Sequence, residues 1–266
     1  MITKIFLLQL LLTFLTGSGW IYFTVFAGLR FGSKAGGFIG GLPSTALLSF
    51  FFIGVTQSPE IASSVTTIFP VAIAVAGLFL VVFAFISGKG FSYALLSGLC
   101  FWFLSSGIIV LFNLDNFLIN LIIYFAVMFF AYLILEKHLL IKSVPSDKTG
   151  HQENHLVLRS LFGGLVVMLT VLIAKTAGPL IGGMFAAFPA MFIATLTISY
   201  KAHGIDFSRA MTKPLMVTGM ITVAVFAIAV RYLYLATDLY TGTFLAVCLS
   251  GVSAYLTYRF ILPRLI

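Results

Sequence analysis

Acidic side chains are scarce: aspartate and glutamate together number 7 in 266 residues, and charged residues of both signs make up 8% of the chain. A water-soluble domain carries roughly 25%, so this composition cannot cover a surface that water would tolerate. Cysteine is nearly absent as well, with Cys100 and Cys248 the 2 copies. Both lie within apolar runs and are expected as small buried side chains, so neither a disulfide framework nor a redox compartment follows. The sequence also lacks a nucleophile with a neighbouring base, a Walker-type phosphate loop and the paired histidines of a zinc protease. No enzyme, cofactor or metal centre is expected. His151, Glu153 and His155 have a spacing that suits a metal on a helix, but they sit in a polar stretch beside Gly150 and are read as solvated.

The chain is instead rich in apolar residues, at 61%, with a mean hydropathy of +1.16. A segment that crosses a bilayer needs about 20 apolar residues, and in lipid every backbone group must find its partner inside the protein. The apolar runs here are long and do not alternate, which predicts helices. Nine segments stand out, at 4–29, 35–55, 66–87, 91–112, 116–136, 156–174, 179–200, 214–235 and 240–262. The first opens Lys4-Ile5-Phe6-Leu7-Leu8, as a signal peptide does, but its apolar stretch continues past any cleavage point and is read as a spanning helix. Gln57-Ser58-Pro59-Glu60, Ser87-Gly88-Lys89-Gly90 and Asn113-Leu114-Asp115-Asn116 separate neighbours, with Asp115 or Asn116 expected as an N-cap. A hydrophilic linker covers about residues 137–155. The expected class is an all-α integral membrane protein with no soluble domain.

The two sides of that linker resemble each other. At an offset of 146, Gly17 matches Gly163, Gly32 matches Gly178, Gly36-Gly37 match Gly182-Gly183 and Pro43 matches Pro189. At an offset of 144, Pro70 matches Pro214, Gly98 matches Gly242, Ser106 matches Ser250 and Gly107 matches Gly251. Such an ordered series marks an internal repeat. Residues 1–112 form the first repeat of four helices, 113–155 a spacer helix and linker, and 156–266 the second repeat. Four crossings return the chain to its starting side and the spacer crosses once more, so the second repeat is inverted relative to the first. Twelve of the fifteen lysines and arginines fall on one predicted side, and Lys4, Lys175 and Arg231 fall on the other. The net charge of +8 is therefore read as the positive-inside bias rather than a nucleic-acid footprint. It predicts a prokaryotic cytoplasmic membrane protein with its C-terminus and linker cytoplasmic and its N-terminus outside.

Inverted repeats are a common plan of secondary transporters, whose sites lie where helices are interrupted by Gly or Pro in both halves. Pro43 and Pro189 fall near the middle of the second and seventh segments and should kink each helix. The small residues before them allow another backbone to come close. All seven acids and all four histidines lie at or outside segment ends, which argues against a proton-carrying carboxylate within the membrane. Lys34 begins the second segment and Lys175 precedes the seventh, each beside a helix start whose partial positive charge favours anions. The candidate substrate-binding residues are therefore Lys34, Gly36, Gly37, Pro43, Ser44, Lys175, Gly182, Gly183 and Pro189. Gln9, Thr13, Ser18, Asn113 and Asn120 are expected to make interhelical hydrogen bonds or caps.

The stretch Ala174-Lys175-Thr176-Ala177-Gly178-Pro179-Leu180-Ile181-Gly182-Gly183-Met184-Phe185-Ala186-Ala187-Phe188-Pro189 resembles the central motif of the GlpM-like family of small membrane proteins. That motif pairs a Gly-Gly run with a small-small-x-Pro turn in the second of about four helices. The likeness is clearest over residues 160–260 and fainter over 5–112. It implies that a four-helix unit was duplicated and fused through one added helix. The first repeat departs at Ser33, where the second has Pro179, and at Gly40-Gly41. The family has no settled molecular function. The expected function is a transporter or flippase for a small or lipid-linked anionic solute, working by alternating access. The alternatives are a non-transporting scaffold or accessory subunit of an envelope or lipid pathway, and an uncoupled channel. Membrane lipids and the anionic substrate are the expected partners, nucleic acid is not, and homo-oligomerisation is left open.

Overall fold

The computed structural model describes residues 3–30, 43–141 and 156–261. They form eleven helices and, among the described residues, no strand: Lys4–Arg30 (α1), Ser44–Thr56 (α2), Pro59–Val65 (α3), Phe69–Ile86 (α4), Phe91–Phe112 (α5), Phe117–Leu133 (α6), Leu156–Thr176 (α7), Gly178–Ala186 (α8), Ala190–Ala210 (α9), Thr212–Ala236 (α10) and Leu239–Leu256 (α11). Among the described residues, eight helical stretches are long and apolar enough to cross a membrane. The protein is an all-α integral membrane protein. Of the second expected segment, only Ser44–Thr56 lies within the described residues.

Local chemistry sets the boundaries. Asn116, one of the two expected caps, accepts hydrogen bonds from the Leu118 and Ile119 amides at 3.0 and 3.1 Å. Asp238 does the same for α11, from Tyr240 and Thr241 at 2.8 and 3.0 Å. Ser58 caps α3 through Ile61 N–H at 3.3 Å, with Pro59 at the first helical position, where its missing donor costs nothing. The turn from α4 to α5 passes through Gly90 at φ 112°, a conformation that side chains disfavour.

One segment and two side chains differ from expectation. The seventh is not one kinked helix: it ends as α8 at Ala186 and resumes as α9 after Pro189. A proline cannot donate to the ladder, and its ring clashes with the preceding turn, so the chain breaks here rather than bending. α9 then runs beyond residue 200 to Ala210, with a sharp bend at Gly204 (φ 82°). Cys100 and Cys248 are exposed rather than buried. They lie on the outer faces of α5 and α11, where lipid rather than water is the solvent and position within an apolar run says nothing about side.

α4 is the most enclosed of the spanning helices, while α5 and α6 present most of their surface outward. Phe50 meets Phe69 edge-on at 4.8 Å and stacks on Phe226 at 6.1 Å, joining α2, α4 and α10. Outward positions carry large apolar side chains such as Leu111, Phe112 and Ile122. Lipid gives no hydrophobic drive to hide them, so helix association rests on close packing and small residues at the contacts.

The crossing of α1 and α7 shows this most sharply. A Cβ added at Gly17 would stand 3.3 Å from Gly164 Cα, and one added at Gly164 would stand 2.8 Å from the Phe14 carbonyl oxygen. Only glycine lets the two backbones approach so closely. Around this point Gly17 faces Val167 and Gly163 faces Ile21. As the position on α1 advances, its partner on α7 retreats, so the helices pair head to tail. A shift of 146 residues carries Gly17 onto Gly163 and Ile21 onto Val167, so it exchanges the two contacts.

Candidate functional site

Pro43 and Pro189 each head a helix with nearly the same backbone, at φ −77°, ψ 54° and φ −75°, ψ 39°. Their carbonyls accept the first helical hydrogen bonds, from Leu47 at 2.7 Å and Ile193 at 2.9 Å. Neither start is capped by a side chain. The first amides of a helix lack partners within it and give that end a partial positive charge. Both starts line one partly open cavity of about 130 Å³, whose other walls come from α4, α10 and the 186–189 break.

Inside the break, the Ala187 and Phe188 amides donate to Met184 and Phe185 at 3.2 and 2.9 Å. The Phe188 ring stacks on Phe185 at 5.5 Å, and Trp102 of α5 meets it edge-on at 5.1 Å. These aromatic contacts hold the interrupted backbone against a neighbouring helix. They fix the point where the chain would otherwise be most pliable.

The cavity wall carries four side-chain hydroxyls, from Ser44, Thr45, Thr195 and Thr218, and one cation, Arg159. Thr218 is committed to the Pro214 carbonyl at 2.8 Å. Arg159 is the fourth residue of α7, about 4.5 Å along the axis from its first residue. Its Nε is buried and, among the described residues, has no hydrogen-bond partner. Among the described residues no acidic side chain lines the cavity, and the one ion pair is Lys213 with Glu136. An unbalanced guanidinium beside two helix starts makes this an electropositive site in a low-dielectric setting.

A second cavity of about 270 Å³ lies between α7 and α9. Its walls are Leu158, Phe162, Ile193, Ala194 and Ile198, with Thr197, Lys201 and again Arg159. Thr197 already donates to the Ile193 carbonyl at 2.7 Å. Arg159 therefore lines both a cavity in the bundle whose wall carries several hydroxyls and a more apolar one beside it.

The structure brings together Pro43, Ser44 and Pro189 on the cavity wall. It places Gly182 and Gly183 behind that wall, where a Cβ would stand 2.6 Å from Ala174 Cβ and 2.5 Å from the Val65 carbonyl oxygen. Their role there is close packing of α8 against α7 and the α3–α4 junction. Lys175 is exposed at the far end of α7, about 24 Å along the axis from Arg159. Lys34, Gly36 and Gly37 lie outside the described residues. Arg231, on the sparsely charged side, is tied down: it donates to Thr67 Oγ1 at 2.9 Å and lies over the Phe117 ring at 4.5 Å.

Sequence reasoning missed Arg159 and Lys201, which it counted only as cytoplasmic-side charges. A signal for Arg159 was present. It falls inside the apolar segment 156–174, and a charge within a spanning run is a functional candidate by default.

Residues 156–262 match the model of a family described as a protein of unknown function (DUF3147). The match covers about two fifths of the chain. Every residue lining the second cavity falls in the DUF3147-like part, as do Arg159 and Pro189. No curated protein and no solved structure matches the chain.

Proposed function

We propose that this protein is a transporter or flippase for an anionic solute, small or lipid-linked, that works by alternating access between two inverted four-helix repeats. The observation that carries this reading is the meeting, at one cavity, of two helix starts without side-chain caps and of Arg159, whose Nε has no hydrogen-bond partner among the described residues. Discontinuous helices whose starts point at the anionic part of a substrate are a recurrent device in transporters. The repeat reading draws support from the matched backbone at Pro43 and Pro189 and from the exchanged contacts at the α1–α7 crossing. Reciprocal contacts of that kind arise where a two-fold axis passes between like elements. In evolutionary terms, a GlpM-like four-helix unit was duplicated and fused through α6. The placement in a prokaryotic cytoplasmic membrane, with the linker and C-terminus inside, follows from the distribution of basic residues.

The test is a thermal-shift screen of the purified protein against organic anions, inorganic phosphate and lipid phosphates, with Arg159→Gln alongside. A ligand at 100 times its dissociation constant adds about 2.7 kcal/mol, a readily seen shift, which Arg159→Gln should remove. Flux of the same compound into proteoliposomes should then saturate. Conductance without any ligand points instead to a channel. Absence of both flux and shift, with a co-purifying protein, points to a scaffold.

A further inference from the structure

The second cavity differs in character from the first. On α9, Ile193, Thr197 and Lys201 follow one another at intervals of four and so share one face. On α7, Leu158 and Phe162 are related in the same way. The result is a groove with apolar walls, Arg159 in its α7 wall and Lys201 at one end of its α9 wall. Among the described residues no acidic side chain lines it, and neither cation is in an ion pair with any of them. Thr197, its one hydroxyl, is satisfied internally, so the walls offer a chain-like occupant no polar demand. A free hydrophilic anion would use the cations and leave the apolar wall unmatched. Neither cavity alone reaches the roughly 300–1,000 Å³ of ordinary ligand pockets, but an occupant that passes Arg159 has room from both.

We propose that the groove between α7 and α9 binds an anionic phospholipid. Its phosphate lies between Arg159 and Lys201, and its first chain segment lies along Leu158, Phe162, Ile193 and Ile198. Arg159 also lines the inner cavity, so a phosphate held at Arg159 sits beside the space that the starts of α2 and α9 line. This deepens the anion-site reading and rests on it: the solute carried would be lipid-linked.

The experiment titrates detergent-delipidated protein with phosphatidylglycerol or phosphatidylcholine and counts retained lipid by native mass spectrometry. A parallel thermal-shift arm uses glycerol 3-phosphate, which has the charge without the chain. Phosphatidylglycerol should be retained at least tenfold more tightly than phosphatidylcholine. Arg159→Gln and Lys201→Gln should each weaken it about tenfold, and Lys175→Gln at the far end of α7 should leave it unchanged. Ile198→Trp, which fills the groove and keeps both charges, should weaken it too, even if Arg159→Gln folds poorly. Equal retention by all variants means a general lipid belt and overturns the proposal. Arg159-dependent binding of glycerol 3-phosphate without preference for phosphatidylglycerol overturns it while leaving the anion site standing. Binding of neither compound removes both readings.

Discussion

Pro43 and Pro189 lie 146 positions apart in the chain, yet they line the same cavity, each turning the backbone into a helix with almost the same torsions. Proline suits this position because its fixed φ is compatible with entering a helix while its missing donor is not needed there. What the pair leaves behind is two helix starts without side-chain caps, that of α9 with its Ala190 amide bonded back to the Phe188 carbonyl at 2.7 Å, on the wall of a space that Arg159 also lines. An anion in that space would satisfy all three features at once.

Arg159 should therefore cost stability when nothing is bound. A half-buried cation whose Nε is enclosed and, among the described residues, has no hydrogen-bond partner suffers desolvation that no such contact offsets. Arg159→Met, which keeps an unbranched side chain, should raise the stability of the ligand-free protein by about 0.5–2 kcal/mol and its melting temperature with it. The same variant should lose the thermal shift given by any anionic ligand of the wild type. Thermal denaturation with and without ligand measures both; a variant less stable than wild type and still responsive to ligand contradicts this role.

The α1–α7 crossing makes a packing prediction. Gly164→Ala places a methyl against the Phe14 carbonyl and the Ser18 amide, each 2.8 Å from the new Cβ. Backbone cannot step aside cheaply, so the variant should lose about 1–3 kcal/mol. Gly163→Ala instead meets the flexible end of Ile21. Its loss should be smaller and should be largely recovered by Ile21→Ala, as a double-mutant cycle on detergent-solubilised protein can measure.

Much of this architecture was legible in the sequence. Residues 91–112 are α5 to the residue, because Gly90 and Asn113 end the run at both sides with backbone that no regular helix continues. The cap at Asn116 was legible for the same local reason. The broken seventh segment was not, because apolar composition continues across residues 187–189 and hydropathy does not register a lost hydrogen bond. Arg159 was hidden by counting. Three residues from a helix start, it reads as a headgroup anchor, and only the approach of α2 and α9 makes it a wall of the cavity. The outward position of Cys100 and Cys248 had no signal, since both sides of a spanning helix are apolar.

Lys213 and Glu136 form an ion pair that ties the end of α6 to the start of α10, with Lys213 buried and Glu136 42% exposed. Arg209 reinforces the junction by donating to the Leu139 carbonyl at 3.2 Å. Glu136→Gln leaves the lysine charge buried against a weaker partner. Because the carboxylate side is partly screened, the loss should be about 1–2 kcal/mol rather than that of a fully enclosed pair. Lys213→Met should be milder than Glu136→Gln, since it removes the buried charge itself. Comparing the two by chemical denaturation in detergent tests this order, and the reverse order would show that the pair is not governed by lysine desolvation.

Acidification should loosen two helix starts outside the spanning segments. The hydrogen bond from the Thr241 side chain, helped by the Thr241 amide, holds the Asp238 carboxyl below its ordinary range. The Ser58 side chain, followed by the backbone, does the same for Glu60. A carboxyl depressed in the folded state contributes stability that is present above its unfolded value, about 4, and is lost as pH falls through the folded value. The stability these two carboxyls contribute should thus hold from neutral pH down to about 4 and decline below it. Asp238→Asn keeps a capping acceptor and should remove its share of that decline while changing little at neutral pH. Melting curves of both proteins across the acid range decide it.

Topology gives the last prediction. Ser58 precedes α3 at the end of the bundle that also carries Arg231, since the Ser63 hydroxyl of α3 donates to the Arg231 carbonyl at 2.8 Å. That end is the sparsely charged one, and the positive-inside bias assigns it to the outside. Lys148 belongs to the hydrophilic linker, outside the described residues, on the opposite side by the same count. In a protein freed of Cys100 and Cys248, Ser58→Cys should react with a membrane-impermeant maleimide added to intact cells, and Lys148→Cys should react only after lysis. The opposite pattern would invert the assignment and put the groove between α7 and α9 at the outer leaflet, so the lipid it takes would be drawn from that side.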